Sequence, residues 1–265
     1  MISFNRLGNL GRLGNQMFQY AAIRGIAAHH GHKFCIPPKK QFGTEDKKVR
    51  EDINNTIYDI FELGEFEQKL LPNSMVMEST HAFDRNLYMN CPDNVDLLGY
   101  YQTHKYFEKI EDEIRKDFTF KKDIREVCEQ FLEDRNCISL HIRRGDYLKP
   151  PHNEHHGVQT LEYYQKALDW FPEHLPVIIF SDDTDWCKEQ TLFESDRFMV
   201  SEGNETSVDL CLMSMCHYHI IANSSMSWWG SWLANSRRTV APKNWFSVDQ
   251  NMDTSDKYLD KWIKV

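Results

Sequence analysis

Residues 137–241 alternate short apolar runs with helical patterns, and this alternation constrains the fold more than any other feature. The apolar runs at 137–142, 176–180, 197–200, 218–222 and 238–241 have the length and β-branched content of strands. Segments 160–171, 184–191, 208–215 and 226–235 between them carry helical apolar spacing. Strands separated by helices pair through crossover connections, which predicts a parallel sheet clothed in helices. The start of the chain gives the same pattern in outline. A strand at 2–4 precedes a helix at 16–30 with Asn15 as its N-cap and Gly31 as its stop, then a strand at 33–36 ended by Pro37-Pro38. A further strand is expected at 96–101 and charged helices at 105–118 and 123–133, while polar residues 39–56 read as a solvated surface loop rather than a lid over a substrate. A chain of 265 residues suits two domains, with the division expected near residue 135.

Three of the predicted strands end in polar clusters: His141-Ile142-Arg143-Arg144-Gly145-Asp146, Ser181-Asp182-Asp183 and Asn223-Ser224-Ser225-Met226-Ser227. In a parallel sheet these ends share one edge, where open α/β folds bind their ligands. Arginine presents a planar fork of donors suited to phosphate oxygens, so the first cluster reads as an anion clamp, with an ion-paired loop as the alternative. The net charge of −9 argues against a nucleic-acid surface and means the paired arginines are not a symptom of general basicity. Asn223-Ser224-Ser225 precedes a helix, whose N-terminal N–H groups suit phosphate oxygens. Asp183 and Ser225 serve equally well as helix caps. Asp209 opens a helix, where a carboxylate either accepts from guanine N–H groups or complements the helix dipole. The run Trp228-Trp229-Gly230-Ser231-Trp232 reads as core rather than as a sugar platform.

Gly8, Gly11 and Gly14 follow the first strand and invite a nicotinamide-oxidoreductase reading, but their spacing is not G-x-G-x-x-G and no acid follows the second strand. The loop is better suited to approaching a ligand, with Asn15 or Gln16 donating to it. The seven cysteines contain no Cys-x-x-Cys pair, and reduced thiols are the simplest reading. No run of 18 apolar residues occurs and polar residues interrupt the N-terminal stretch, so the expectation is a cytoplasmic protein, with peripheral membrane contact left open.

Taken together, Gly14-Asn15-Gln16-Met17-Phe18-Gln19-Tyr20-Ala21, the 141–146 element, Phe180-Ser181-Asp182-Asp183 and Ala222-Asn223-Ser224-Ser225-Met226-Ser227-Trp228-Trp229-Gly230 resemble the α-1,2-fucosyltransferases of glycosyltransferase family 11. The resemblance runs in matching order from about residue 8 to 245; Arg12 departs from the family's usual glycine, and residues 40–95 carry no motif. It implies a GT-B type α/β fold of two Rossmann-like domains facing a central cleft, 1–135 for the acceptor and 136–265 for GDP-β-L-fucose. The implied reaction moves fucose, with inversion and without a metal or other cofactor, to the 2-hydroxyl of a galactose-terminated oligosaccharide. The implied catalytic group is His141, Arg143, Asp146 and Asn15, with Arg144 a brace. Donor binding falls to Arg143, Asp183, Asp209, Ser224, Ser225 and Gly14. The general base stays open between His141, Asp146 and an acid of the first half. The alternatives are a nicotinamide oxidoreductase and a non-catalytic sugar-nucleotide-binding protein.

Overall fold

The computed structural model describes residues 1–41, 56–132, 136–247 and 252–265, so most of the segment expected as a surface loop at 39–56 lies outside the described residues. They form two compact units: Met1–Lys121 with Asp253–Lys257, and Lys122–Met252 with Tyr258–Val265.

In the first unit, β1 (Ile2–Ser3), β2 (Phe34–Ile36), β3 (Glu67–Gln68), β4 (Ser74–Met77) and β5 (Val95–Leu98) form a parallel sheet ordered β3-β2-β1-β5-β4. The chain steps outward from β1 to β3, then returns on the other side of β1, so the order reverses between β1 and β5. The helix Leu13–His30 follows β1, and Gly31 closes it in the left-handed region at φ 67°. It starts earlier than the sequence suggested. Arg12, not Asn15, occupies the N-cap position in an extended conformation, and Asn15 lies in the first helical turn. Gly8 and Gly11, at φ 86° and 80°, make the turn out of β1, whereas Gly14 is already a buried helical residue. The single helix expected at 105–118 is broken into 3-10 turns at His104–Tyr106 and Glu108–Ile110 and a helix at Glu111–Asp117. Burial of Tyr106 and Phe107 overrides the charged helical pattern there, with the Tyr106 carbonyl lying close over Gly25.

In the second unit, β6 (Ile138–Ile142), β7 (Val177–Ser181), β8 (Phe198–Val200), β9 (Tyr218–Ile220), β10 (Arg238–Ala241) and β11 (Ile263–Lys264) form a parallel sheet ordered β11-β10-β9-β6-β7-β8. Its order reverses between β6 and β9, the position at which such sheets open a crevice for ligands. Ile138, Leu140, Ile142, Ile179, Ile220 and Val240 make its core with Tyr164. Trp228, Trp229 and Trp232 are buried, as expected of a packed helix face. The helix Lys122–Phe131 packs on the helix Thr206–Met215, so the second unit begins at Lys122, ahead of the division expected near 135.

Candidate active site

Strand β6 is buried along its length and delivers the arginines to the switch point. The register pairs Ile142 with Ser181, which sets Arg143 and Arg144 beside Asp182 and Asp183. Asp182 ties the two loops together. Its Oδ1 accepts from the Arg144 backbone N–H at 2.9 Å, and its Oδ2 lies 2.9 Å from Arg143 Nη1. Gly145 makes this approach possible, because a Cβ there would stand 2.3 Å from Asp182 Oδ2.

The two arginines are held differently. Arg143 Nη2 donates to Asp146 Oδ1 at 2.6 Å, and the guanidinium lies 5.3 Å from the Tyr147 ring centre. A guanidinium has five N–H donors, so these two carboxylates leave it donors for a further anion. Arg144 instead lies with its guanidinium 3.9 Å from the Trp186 ring centre, and its Nε donates to Asp183 Oδ2 at 2.9 Å. Asp183 Oδ1 also accepts from the Trp186 N–H, capping the helix Thr184–Lys188. Both Asp183 oxygens are therefore engaged by protein groups.

His141 is 4% exposed, with Nδ1 2.9 Å from Ser227 Oγ. Burial, aided by the neighbouring Arg143 charge, pushes it down to about 3, so the ring is neutral at physiological pH. Ser227 also faces the carbonyls of Ala222 and Ser224 and so fastens β6 to the start of the helix Ser225–Leu233. Ser224, not Ser225, holds the N-cap position, and its side chain makes no capping bond. Asn223 is buried and donates to the carbonyls of Gly157 and Trp245, both at 3.0 Å, while its own carbonyl accepts from Tyr147 OH. Ser227 closes the third polar cluster read from the sequence, whereas Tyr147 and Trp186 were not singled out, because their parts depend on contacts with Asn223 and Arg144 that no spacing shows.

Asp209 lies in the first turn of its helix and accepts from Ser201 Oγ at 2.8 Å, beyond the end of β8. Burial raises its carboxyl to about 6, partly opposed by hydrogen bonds from Ser201 and Asn204. Asn15 and Gly14 belong to the first unit. Asn15 Oδ1 accepts from Gln102 Nε2 at 2.6 Å, whereas Gln16 is buried, with Oε1 accepting from the Ile57 N–H. The second unit thus brings His141, Arg143, Asp146, Asp183, Ser224 and Ser225 to adjoining strand ends, with Asp209 farther along the same sheet edge.

Asp183 and Asp185 have Asp-x-Asp spacing, but Asp183 is turned to Arg144 and its helix cap. Among the described residues no group of three or more His, Cys, Asp and Glu is placed to hold a metal ion. All seven cysteines are buried, and none is in a disulfide. No described helix is long and apolar enough to cross a membrane.

The model of glycosyl transferase family 11 matches residues 3–265. An α-1,2-colitosyltransferase of Escherichia coli is 30% identical, the alignment covering 96% of each chain. The galactoside α-(1,2)-fucosyltransferase 2 of Bos taurus is 27% identical over 97% of this chain and 77% of that protein. Among solved structures, the fucosyltransferase NodZ from Bradyrhizobium superposes with a TM-score of 0.56 at 13% identity, covering 90% of this chain and 93% of that one. That likeness shows the fold, a GT-B type with two parallel-sheet α/β domains. Neither the oxidoreductase reading nor the non-catalytic one gains support from these comparisons. A sheet edge built around paired arginines, in a chain matched along nearly its whole length, thus belongs to an enzyme: this protein is a glycosyltransferase of family 11.

Proposed function

We propose that the protein transfers L-fucose from GDP-β-L-fucose to the 2-hydroxyl of a terminal galactose, with inversion to an α-linkage. The observation that carries this is the Arg143 clamp at the β6/β9 switch point, in a chain whose relatives include galactoside α-1,2-fucosyltransferases. Galactose O2 attacks fucose C1, the C1–O bond to the β-phosphate breaks, GDP departs with the bonding electrons, and the hydroxyl proton passes to a carboxylate, Asp146 or an acid of the first half. The charge developing on the diphosphate needs fixed positive groups. Arg143 supplies them, with the helix N-terminus at Ser224 and Ser225 contributing N–H donors. Asp146 and Asp182 set the orientation of that guanidinium. His141, neutral and bonded to Ser227, holds β6 against the helix, and its low pKa suits it poorly to accept a proton. Asp209 reads the guanine N–H groups, with Ser201 orienting the carboxylate.

Under this proposal no metal takes part, and the acceptor is an oligosaccharide or surface glycan ending in galactose. The colitosyltransferase relative favours a second donor, a nucleoside-diphosphate-activated colitose, whose sugar is fucose without its 3-hydroxyl. Incubation of the protein with GDP-fucose and lactose, with and without chelator, tests the reading. Equal formation of 2′-fucosyllactose in both arms is expected. No transfer to any galactoside, or transfer abolished by chelator, refutes it in whole or in its metal-free part.

A further inference from the structure

We propose that Lys257 and Gln102 form an orienting relay that fixes Asn15 with its amide N–H groups toward bound substrate and its amide oxygen turned away. The proposal rests on the fucosyl-transfer reading above and assigns Asn15 a direction within it. Lys257 Nζ donates to Gln102 Oε1 at 3.0 Å, and Gln102 Nε2 donates to Asn15 Oδ1 at 2.6 Å. An ammonium only donates, so it selects the oxygen end of the Gln102 amide. The amide nitrogen must then face Asn15, and it selects the oxygen end of that amide in turn. A terminal amide could otherwise take either orientation at almost no cost, but here the orientation is inherited from a charge two side chains away.

The relay is built on purpose-shaped backbone. Asn15 follows β1 and Gln102 follows β5, so their hydrogen bond spans the strand reversal of the first sheet. Lys257 is 2% exposed and belongs to the short segment Asp253–Lys257 that joins the first unit from far along the chain. Glu78 accepts from the N–H groups of Tyr100 and Tyr101 at 3.0 and 2.8 Å. These bonds hold Tyr101 in the left-handed region at φ 51°, which turns the chain so that Gln102 meets Asn15. Gly11 leaves the space that the Asn15 amide fills, because a Cβ there would lie 2.0 Å from Asn15 Nδ2. Among the described residues Asn15 Nδ2 makes no hydrogen bond, so its N–H groups are the end of the relay that is left to meet an oxygen. Asn15 so oriented donates to a substrate oxygen and does not receive the proton of the attacking hydroxyl.

Gln102→Glu is the test, because it keeps shape and the bond to Lys257 while presenting an oxygen to Asn15. The Asn15 amide must then reverse, turning its oxygen outward. The expected result is a fall in kcat/KM for the galactoside of about tenfold or more, the size of a lost donor replaced by a facing acceptor. GDP affinity and the unfolding midpoint should stay at wild-type values. Gln102→Met, which releases Asn15 without reversing it, should lose less. A second readout needs no turnover: the side-chain NH2 signals of Asn15, identified by their loss in Asn15→Asp, should shift and become protected from solvent exchange in Gln102→Glu. Wild-type turnover by Gln102→Glu, or unmoved Asn15 signals, overturns the relay. If the wild-type protein transfers neither fucose nor colitose, the functional reading fails, and the NH2 signals alone decide the relay.

Discussion

Arg143 and Arg144 are adjacent in sequence and opposite in circumstance. Arg144 is fixed on every side, by Trp186 beneath it, Asp183 at Nε and Asp182 at its backbone N–H. Lysine at that position keeps a charge but loses the flat contact and the fixed fork. Arg144→Lys is therefore expected to lower stability by about 1–2 kcal/mol, measured by urea unfolding, with a smaller effect on GDP affinity. Arg143→Lys should do the reverse, leaving the unfolding midpoint nearly unchanged and weakening GDP binding by about tenfold or more, because bidentate anion recognition is lost. Equal losses of stability in the two variants would remove the division of labour. The division is what the resemblance carried by the 141–146 element implies, and these two variants test it. The partners were not legible in the sequence. Asp182 and Asp183 are indistinguishable as letters, and only the β6/β7 register shows that Asp182 meets both arginines while Asp183 meets one and a helix cap. Asn15 was misplaced as a cap because its residue type favours that position, whereas Gln102 draws its side chain away.

Individual elements depend on a few close approaches. A Cβ on Gly25 would lie 2.0 Å from the Tyr106 carbonyl oxygen, so the helix Leu13–His30 needs glycine where the 104–106 turn crosses it. On Gly230 it would lie 2.7 Å from Met213 Cβ, where the helices Thr206–Met215 and Ser225–Leu233 meet. Gly25→Ala forces a backbone apart and should cost about 3 kcal/mol or more. Gly230→Ala meets a Cβ fixed to the neighbouring helix, so the two helices must part slightly; the overlap is smaller than at Gly25 and regained helix propensity offsets part of the strain, so about 1–2 kcal/mol is expected. Unfolding monitored by far-UV circular dichroism checks the order, and a Gly230→Ala loss exceeding that of Gly25→Ala contradicts it. Strands β1, β2 and β5 to β10 were readable because each is an apolar run between turn or helix signals. β3 and β4 were not, because the former is two exposed residues and the latter is mostly exposed, so neither carries a burial pattern. β11 was missed for a related reason: its two residues gain strand structure only by pairing with β10.

At the scale of the whole molecule, the two units differ in what they bury. All seven tryptophans fall in the second unit, so tryptophan fluorescence reports its unfolding, while circular dichroism reports both units. The second unit also buries His141 and His219, which burial pushes down to about 3 and about 4. His219 is 1% exposed, with Nδ1 2.9 Å from Ser236 Oγ and Nε2 2.8 Å from the Met213 carbonyl. Unfolded, both rings titrate near 6.5, so below that pH the unfolded chain takes up protons that the folded unit refuses. His156, lowered to about 4 mainly by burial, acts in the same direction. Asp209 opposes them: its folded value of about 6 lies above the unfolded carboxyl, so its neutral form favours the folded unit as pH falls below 6. His141 and His219 against Asp209 leave a net loss of roughly 2–3 kcal/mol between pH 7 and pH 5, to which the less buried His156 adds. In the first unit Glu78, Asp96 and Asp117 are raised chiefly by burial and favour the folded state as pH falls, while His29 and His81, lowered chiefly by burial, act the other way, so the two sets offset each other there. Urea titrations at pH 7 and pH 5 should therefore show the fluorescence midpoint falling while a circular-dichroism component lags behind it at the lower pH. Under the proposed function GDP binds the second unit, so it should restore the fluorescence midpoint selectively. Coincident midpoints for both probes at both pH values would mean that the two sheets unfold as one. In either case His219→Asn should flatten the pH dependence, and an unchanged dependence would remove His219 from the account.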